Sequence, residues 1–197
     1  MWKEHILLGV GWIVFGVLHS LLADTNVKKK LAATYPKGFT YYRLFYTLFA
    51  FATLILVAFY QIHITSPMVF QATLGTKLIG WVTAVTGLAV MAICIKKYFL
   101  SLSGLKSLFA RQVIANELRI DGIHRFVRHP LYLGTFIFIW GAWLVYPRLS
   151  LLIAVIIITG YTLLGIIFEE KKLVLEFGDS YREYMKKVPR LVPFLRR

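Results

Sequence analysis

The sequence predicts an all-α integral membrane protein with about five transmembrane helices. Of its 197 residues, 58% are hydrophobic and only 16% are charged, which is far more apolar than an ordinary soluble domain. The apolar residues form long runs, and most charged residues lie between these runs. The length is that of a single domain, so we expect residues 1–197 to form one membrane-embedded domain.

Five apolar runs come close to the length of about 20 residues that an α-helix needs to cross a bilayer. They are Ile6–Ala23, Tyr42–Ile62, Leu78–Ile95, Leu131–Tyr146 and Leu149–Phe168. Ser66-Pro67 breaks the chain between the second and third runs. Pro147-Arg148 joins the short fourth run to the fifth as a tight helical hairpin, and a cytoplasmic tail spans residues 171–197. The single Cys94 lies inside the third run, where we expect a small core residue.

Lysine and arginine are distributed unequally over the segments between the runs. Four lie in residues 24–41, seven in residues 96–130 and eight in the tail, and with Arg43 these make 20 of the 23. The other side of the membrane receives only Lys3, Lys77 and Arg148. Since cytoplasmic loops carry the excess of basic residues, we expect the N-terminus outside and the C-terminus in the cytoplasm. The net charge of +14 would also suit a nucleic-acid partner. The basic residues lie beside apolar runs, however, which favours anionic lipid headgroups as their partners.

Ionisable and strongly polar side chains collect at the cytoplasmic ends of the runs. They are His19, Ser20, Tyr42, Arg43, Arg128, His129, Glu169 and Glu170. Such groups at membrane depth are costly and indicate a functional site by default. We expect Arg128 to pair with the two glutamates, of which only one can face it squarely, because adjacent helical residues point about 100° apart. The alternative is a structural ion pair that closes the hairpin.

The strip from Gly122 to Gly134 leads from basic residues directly into the fourth run. Pro130 suits the first position of a helix, whose free N–H groups and positive dipole end attract anions. Arg128 and His129 stand beside it, so the strip suits a carboxylate or phosphate. The alternative is that both residues face lipid headgroups. With an acidic partner and an aromatic wall such as Tyr132, the same place suits a zwitterionic amino acid derivative that carries a sulfonium or an adenine.

Three sequence blocks in this order resemble the isoprenylcysteine carboxyl methyltransferase family. They are Arg-His-Pro-Leu-Tyr-Leu-Gly at 128–134, Glu-Glu at 169–170 and Phe-Gly-Asp-Ser-Tyr-Arg-Glu-Tyr at 177–184. More broadly, residues 114–194 resemble the membrane methyltransferases that include phospholipid N-methyltransferases. Leu-His-Ser-Leu-Leu-Ala at 18–23 and Tyr-Arg-Leu-Phe-Tyr at 42–46 resemble, more weakly, NnrU proteins and methanethiol S-methyltransferases of the same superfamily.

The resemblance implies a methyltransferase that binds S-adenosylmethionine in a cytoplasmic pocket, without a soluble dinucleotide-binding domain. It implies cofactor contacts from Asn116, Glu117, Leu118, Arg119, His124, His129, Pro130, Leu131, Tyr132 and Glu169. Three positions depart from the family pattern. His124 stands for a tyrosine, Asn116 for a histidine, and Gly165 for an arginine that contacts the methyl acceptor. The missing arginine favours a small thiol or a lipid-like acceptor over a prenylcysteine carboxylate.

The expected reaction is an in-line displacement at the sulfonium methyl group. Alignment of the two reactants and exclusion of water would supply most of the rate, up to about 7–11 kcal/mol. Our catalytic candidates are Arg128, His19 and Arg43, and we expect no metal ligand. The two arginines form an electropositive rim that favours a thiolate, and His19 is a candidate base. The alternative for His19 is a buried, hydrogen-bonding histidine that joins the first two runs.

The tail carries an amphipathic stripe, with large side chains at Phe177, Tyr181, Tyr184 and Val188. We expect Gly178 to end the preceding helix and Asp179 or Ser180 to cap the next one. The segment is expected to fold back over the cofactor and shield it from water. An amphipathic helix resting on lipid headgroups is the alternative, and it is compatible with the first interpretation.

Other functions compete with a membrane methyltransferase acting on a small thiol or lipid-like acceptor. One is a non-catalytic, NnrU-like membrane protein, and another is a true prenylcysteine carboxyl methyltransferase. A transporter or channel subunit is disfavoured because no charged residue lies in the middle of a run. The expected partners are the methyl acceptor and membrane lipids, and no nucleic acid.

Overall fold

The computed structural model of the protein describes residues 1–36, 39–102, 118 and 120–193, and of residues 25, 40, 43 and 97–102 only the backbone. Within these ranges the chain is helical, with short 3-10 turns at Phe39–Tyr41 and Gly122–Arg125. We number the helices α1 Trp2–Ala23, α2 Thr25–Thr34, α3 Tyr42–His63, α4 Leu74–Leu102, α5 Pro130–Val145, α6 Leu149–Phe177 and α7 Asp179–Lys187.

The predicted all-helical membrane fold is confirmed. Within the part of the chain that the structure describes, four helices are long and apolar enough to cross a membrane, namely α1, most of α3, most of α4 and α6. The fourth run forms α5, a shorter apolar helix of 16 residues that begins at Pro130 as expected. α6 continues nine residues past the end of the fifth run, so Glu169 and Glu170 lie within it and not at its end.

Residues 24–41 contain a helix where the sequence indicated only a basic loop. Asp24 Oδ1 accepts hydrogen bonds from the backbone N–H groups of Asn26 at 2.8 Å and Val27 at 3.1 Å. These bonds satisfy N–H groups that would otherwise have no partner, and so begin α2. The expectation of a loop is wrong here because ten residues with three adjacent lysines show too little apolar periodicity to indicate a helix.

The chain divides into two compact units, and each is described by itself. Among the described residues, the first unit contains residues 1–36, 39–69, 98–102 and 148–158. The second contains Phe70–Lys97 and residues 118, 120–147 and 159–193. A single domain over residues 1–197 stays a prediction.

In the first unit, α1 packs on α3 and on the beginning of α6. Its buried core consists of Leu8, Trp12, Ile64 and Ala154. Trp12 Nε1 donates a hydrogen bond to Gln61 Oε1 at 2.8 Å, so this apolar contact also carries a polar link. Ser66 Oγ accepts the backbone N–H of Ser150 at 2.8 Å and lies 3.0 Å from His5 Nε2. The break at Ser66-Pro67 therefore joins α1 to the start of α6.

In the second unit, α4 and α5 approach each other backbone to backbone at glycines. A Cβ atom on Gly87 would lie 2.6 Å from the carbonyl oxygen of Gly134, and one on Gly141 would lie 2.5 Å from the amide nitrogen of Ala84. No real side chain tolerates such distances. Small residues let membrane helices gain dispersion contacts over their backbones. This close packing places the first turn of α5, where the basic strip ends.

Candidate functional site

The basic strip before α5 is held by the C-terminal segment of the chain. Gly122 has a positive φ of 62°, which begins the 3-10 turn that carries His124. Beyond it, the Arg128 N–H donates to the Pro189 carbonyl at 2.9 Å and the His129 N–H donates to the Arg190 carbonyl at 3.1 Å. These two backbone hydrogen bonds give the strip a fixed path into α5.

Glu170 on α6 is the centre of an ion-pair cluster. Its side chain is only 5% exposed. Arg128 donates to Glu170 Oε1 from Nε at 2.8 Å, with Nη2 also at 2.8 Å, and His129 Nε2 lies 3.1 Å from the same oxygen. Arg190 donates to Oε2 from Nε at 3.0 Å and from Nη2 at 2.6 Å. Three basic side chains therefore contact one buried carboxylate, which offsets the large cost of removing its charge from water.

Arg128 makes more contacts than the other two basic side chains of this cluster. Besides the two contacts with Glu170, its Nη1 donates to the carbonyl oxygens of Met185 at 3.0 Å and Val188 at 2.6 Å. Its side chain is 8% exposed. The predicted approach of Arg128 to the glutamate pair is found, and the guanidinium also ties the strip to the C-terminal segment.

Glu169 has different surroundings from its neighbour on the same helix. Its side chain is 44% exposed, and Tyr132 donates a hydrogen bond from its hydroxyl to Glu169 Oε2 at 2.9 Å. The rings of His129 and Tyr132 stack with centroids 5.7 Å apart and planes 22° from parallel. One glutamate is thus enclosed by basic groups, while the other presents a carboxylate beside two aromatic faces.

The tail stripe folds against the strip. Tyr181, Tyr184 and Val188 are buried together, with Leu118 and Phe177 packed on them. Tyr184 donates from its hydroxyl to the His124 carbonyl at 2.6 Å. Burial raises the pKa of the Tyr181 phenol, so this side chain stays neutral in the cluster.

The turn between α6 and α7 confirms one expectation and contradicts another. Gly178 has a positive φ of 57° and ends α6, as its residue type predicts. It also takes the N-cap position of α7, without a side-chain cap. The expected cap from Asp179 or Ser180 is wrong, because both are already within α7, and Asp179 Oδ1 instead accepts from Arg182 Nη1 at 2.8 Å.

The other residues that the resemblance implies as cofactor contacts lie in the basic strip, in the first turn of α5 and in the segment before the strip. His124 Nδ1 lies 3.3 Å from the Arg128 carbonyl oxygen. Pro130 is buried and Leu131 half-buried in the first turn of α5. Asn116, Glu117 and Arg119 lie outside the described residues. Thus the second unit brings together Leu118, His124, Arg128, His129, Pro130, Leu131, Tyr132 and Glu169.

The other catalytic candidates belong to the first unit. His19 on α1 contacts the Tyr46 hydroxyl on α3, which lies 2.9 Å from Nε2 and 3.1 Å from Nδ1. Nearby, Tyr42 donates to the Leu22 carbonyl at 2.7 Å. A half-buried histidine that joins α1 and α3 is therefore the arrangement found, and its role as a base stays a prediction. Arg43 lies in the first turn of α3, and its side chain is outside the described residues.

Sequence reasoning missed Arg190 and Tyr46. Arg190 lies after Pro189 in a segment without periodicity, and nothing in its type separates it from seven other basic residues of the tail. Tyr46 lies in the block at 42–46 that resembles the superfamily, and the resemblance assigns it no role. A helical spacing of four from Tyr42 is the one signal that could have indicated it, because residues four apart share a helix face.

Comparisons with known proteins show the family to which the chain belongs. The family model of phospholipid methyltransferases matches residues 74–180. A methanethiol S-methyltransferase of Crocosphaera subtropica is 27% identical over 96% of this chain and 75% of its own length. One of Pseudomonas deceptionensis is 29% identical over 100% of this chain and 76% of its own.

A further relative shows a higher identity over a shorter stretch. The protein-S-isoprenylcysteine O-methyltransferase of Schizosaccharomyces pombe is 40% identical over 76 residues, which are 38% of this chain and 32% of that protein. No solved structure matches the chain significantly. The suspected superfamily is confirmed: the chain belongs to the phospholipid methyltransferase family, and it is an integral membrane methyltransferase.

Proposed function

We propose that the enzyme transfers the methyl group of S-adenosylmethionine to a small thiol at the cytoplasmic side of the membrane. The observation that supports the proposal is that the two glutamates have different surroundings. Glu170 is enclosed by basic side chains, whereas Glu169 presents a partly exposed carboxylate beside the His129–Tyr132 pair.

The described residues fit the donor. Its ammonium and sulfonium groups are cationic, and the Glu169 carboxylate offers the opposite charge at an exposed edge. Aromatic faces such as those of His129 and Tyr132 suit a sulfonium or an adenine ring. When bound, the donor supplies an electrophilic methyl group. The further proposed contacts are Asn116, Glu117, Leu118, Arg119, His124, Pro130 and Leu131.

In this proposal Arg128 acts through its neighbours. It donates to Glu170 and to two backbone carbonyls, so it fixes the strip that carries His129 and the C-terminal segment that packs on the strip. Its positive charge also lowers the cost of a nearby thiolate. His19 and Arg43 are proposed to act on the thiol acceptor. His19 would serve as its base, and Arg43 would be a cation that favours the thiolate.

A small thiol is the proposed acceptor for two reasons. The methanethiol S-methyltransferases of Crocosphaera subtropica and Pseudomonas deceptionensis are similar over almost the whole chain, whereas the prenylcysteine enzyme of Schizosaccharomyces pombe is similar over 38% of it. In addition, Gly165 provides no side chain where the prenylcysteine enzymes are expected to have an arginine. Apart from its chain neighbours and the nearby backbone of its own helix, no atom of the described residues lies within 4 Å of a Cβ built there. A carboxylate acceptor would therefore lack its cationic contact at this position.

The test uses the purified protein in lipid nanodiscs. We expect calorimetric binding of S-adenosylhomocysteine, and transfer of labelled methyl from S-adenosylmethionine to methanethiol. Glu169→Ala should abolish binding, whereas Glu183→Ala, at an exposed position on α7, should leave it unchanged. Absence of donor binding would contradict the proposal. Faster transfer to a farnesylcysteine analogue or to phosphatidylethanolamine in the nanodisc would contradict the choice of acceptor.

A further inference from the structure

We infer that Arg190 is a positioning residue of the methyl-donor site, and that it acts through Glu170 on His129. Arg190 belongs to the C-terminal strap, which we define as residues 188–190. The inference rests on the proposed function, because it concerns the affinity of the site for the methyl donor.

The strap is attached to the strip at two levels. Its backbone carbonyls, from Pro189 and Arg190, accept the N–H groups of Arg128 and His129 at 2.9 and 3.1 Å. The Arg190 guanidinium donates twice to Glu170 Oε2, at 3.0 and 2.6 Å. The backbone bonds place the strip, while the side chain of Arg190 fixes the carboxylate that the strip needs as its partner.

The two oxygens of Glu170 divide the basic groups between them. Oε1 receives Arg128 and His129, and Oε2 receives Arg190. Without Arg190, the carboxylate is expected to rotate to share the remaining donors, because a buried charged oxygen is costly to leave unbonded. Since His129 Nε2 lies 3.1 Å from Oε1, any rotation changes the orientation of the His129 ring.

The effect of this rotation reaches the proposed donor contacts. The His129 ring stacks on Tyr132, and the Tyr132 hydroxyl donates to Glu169. The Arg190 side chain therefore bonds to Glu170, which is not a proposed donor contact, and through Glu170 it fixes the positions of His129, Tyr132 and Glu169. Two nitrogens of the rigid Arg190 guanidinium donate to the same carboxylate oxygen and hold it more closely than the single, flexible ammonium of a lysine would.

Arg190 differs from Arg128 in a way that makes the inference testable. The Arg128 side chain is 8% exposed and bonds two tail carbonyls, so its removal disturbs the packing of the tail. The Arg190 side chain is 43% exposed. Water or a small cation can occupy the place of its truncated side chain, and we expect the Arg190→Ala variant to fold.

The experiment compares Arg190→Ala and Arg190→Lys with wild type in nanodiscs. The matched control is Arg182→Ala, which removes an arginine that is 60% exposed and pairs with Asp179 on the same tail. We expect Arg190→Ala to weaken binding of S-adenosylhomocysteine about tenfold and Arg190→Lys about threefold. The KM for S-adenosylmethionine should rise accordingly, while the KM for the thiol and the behaviour of Arg182→Ala stay unchanged.

Chemical rescue separates positioning from a merely structural role. Millimolar methylguanidinium should restore donor affinity to Arg190→Ala, because it can replace the missing guanidinium at Glu170. It should not affect wild type or Arg182→Ala. Donor affinity of Arg190→Ala within twofold of wild type, or a loss that methylguanidinium does not reverse, would overturn the inference.

The outcomes also separate this inference from the proposed function. If wild type itself binds no S-adenosylhomocysteine, the donor proposal fails first and the role of Arg190 fails with it. If wild type binds and both Arg190 variants bind equally well, only the inference fails. If Arg190→Ala does not fold, Arg190→Lys decides: weaker donor binding at an unchanged melting temperature supports the inference, and unchanged binding refutes it.

Discussion

Glu169 and Glu170 follow each other on α6, yet their carboxylates lie about 100° apart around the helix axis. Glu170 contacts Arg128, His129 and Arg190 and is 5% exposed. Glu169 accepts the Tyr132 hydroxyl and is 44% exposed. The same substitution at the two positions should therefore differ in its effect on stability, which we expect to be small at Glu169 and large at Glu170.

For Glu169→Gln we expect a loss of donor affinity without loss of stability. The amide oxygen can still accept the Tyr132 hydroxyl, but the negative charge for a cationic ligand is gone. A hydrogen bond to a charged group is worth about 1.5–3 kcal/mol, which corresponds to about a 10- to 100-fold loss of affinity. Calorimetry with S-adenosylhomocysteine measures the loss, and thermal unfolding checks the stability. A variant that binds as tightly as wild type would exclude this charge from the donor site.

For Glu170→Gln we expect a loss of stability. The substitution leaves Arg128 buried without its counter-ion, and breaking a buried pair by changing one partner costs about 3–5 kcal/mol. The unfolding of the purified protein in mixed micelles measures this. Glu183→Gln, which removes the partner of Lys186 on the exposed face of α7, is the control and should unfold like wild type. Equal unfolding of all three proteins would show that the cluster does not stabilise the fold.

At the residue scale, the sequence was sufficient to place Arg128 near a glutamate but not to choose which one. Motif order and the hairpin between α5 and α6 determine the approach, while the rotation of α6 about its axis depends on packing that no local pattern records. Arg190 could not be predicted for a similar reason. Its contact with Glu170 spans 20 residues along the chain and depends on how the chain turns at Gly178 and Pro189.

Among the elements, α4 and α5 are the pair whose packing depends most directly on residue size. Gly80 and Gly87 on α4 face Gly141 and Gly134 on α5, one helical heptad apart on each helix. The first turn of α5 carries Pro130 and Tyr132, so a displacement of this helix moves the site with it. We therefore expect helix packing and ligand binding to be coupled at this contact.

For Gly87→Ala we expect both instability and weaker donor binding. The added methyl group would lie 2.6 Å from the Gly134 carbonyl oxygen, which forces the helices apart. Overpacking of this kind costs about 1–3 kcal/mol. Gly160→Ala is the matched control, because no other atom lies within 4 Å of a Cβ there, and the alanine should stabilise α6 slightly through its higher helix propensity. Melting temperatures of the two variants test this, and a melting temperature of Gly87→Ala equal to wild type would contradict it.

The apolar runs predicted the long helices well because bilayer thickness sets a simple length rule. The same rule counts only apolar residues, so it ended the fifth run at Phe168 although α6 continues through charged residues to Phe177. It also passed over α2, whose start depends on the Asp24 side chain rather than on hydrophobicity. Helix ends are set by individual hydrogen bonds, which hydropathy does not report.

At the scale of the whole molecule, the surface of the helices agrees with the composition. Large apolar side chains are exposed along α3 and α4, among them Phe51, Ile55, Phe59, Leu78 and Val82. Such a surface is unfavourable in water but matches lipid tails. Composition and length therefore predicted the class of protein, whereas the proposed choice of acceptor rests on single positions such as Gly165, which composition does not report.

The orientation of the chain is a prediction that belongs to this scale, because it follows from the sum of charges and from no single contact. With 20 of 23 lysines and arginines on one side, the positive-inside rule places Lys3 outside and α7 in the cytoplasm. Single cysteines introduced as Lys3→Cys and Arg182→Cys, in a Cys94→Ser background, allow a direct measurement. A membrane-impermeant maleimide added to intact cells should label the first variant at once and the second only after permeabilisation. The reverse pattern would place Glu169 and Tyr132 on the outer side, away from cytoplasmic S-adenosylmethionine, and the proposed function would then fail even if both glutamates behave as predicted.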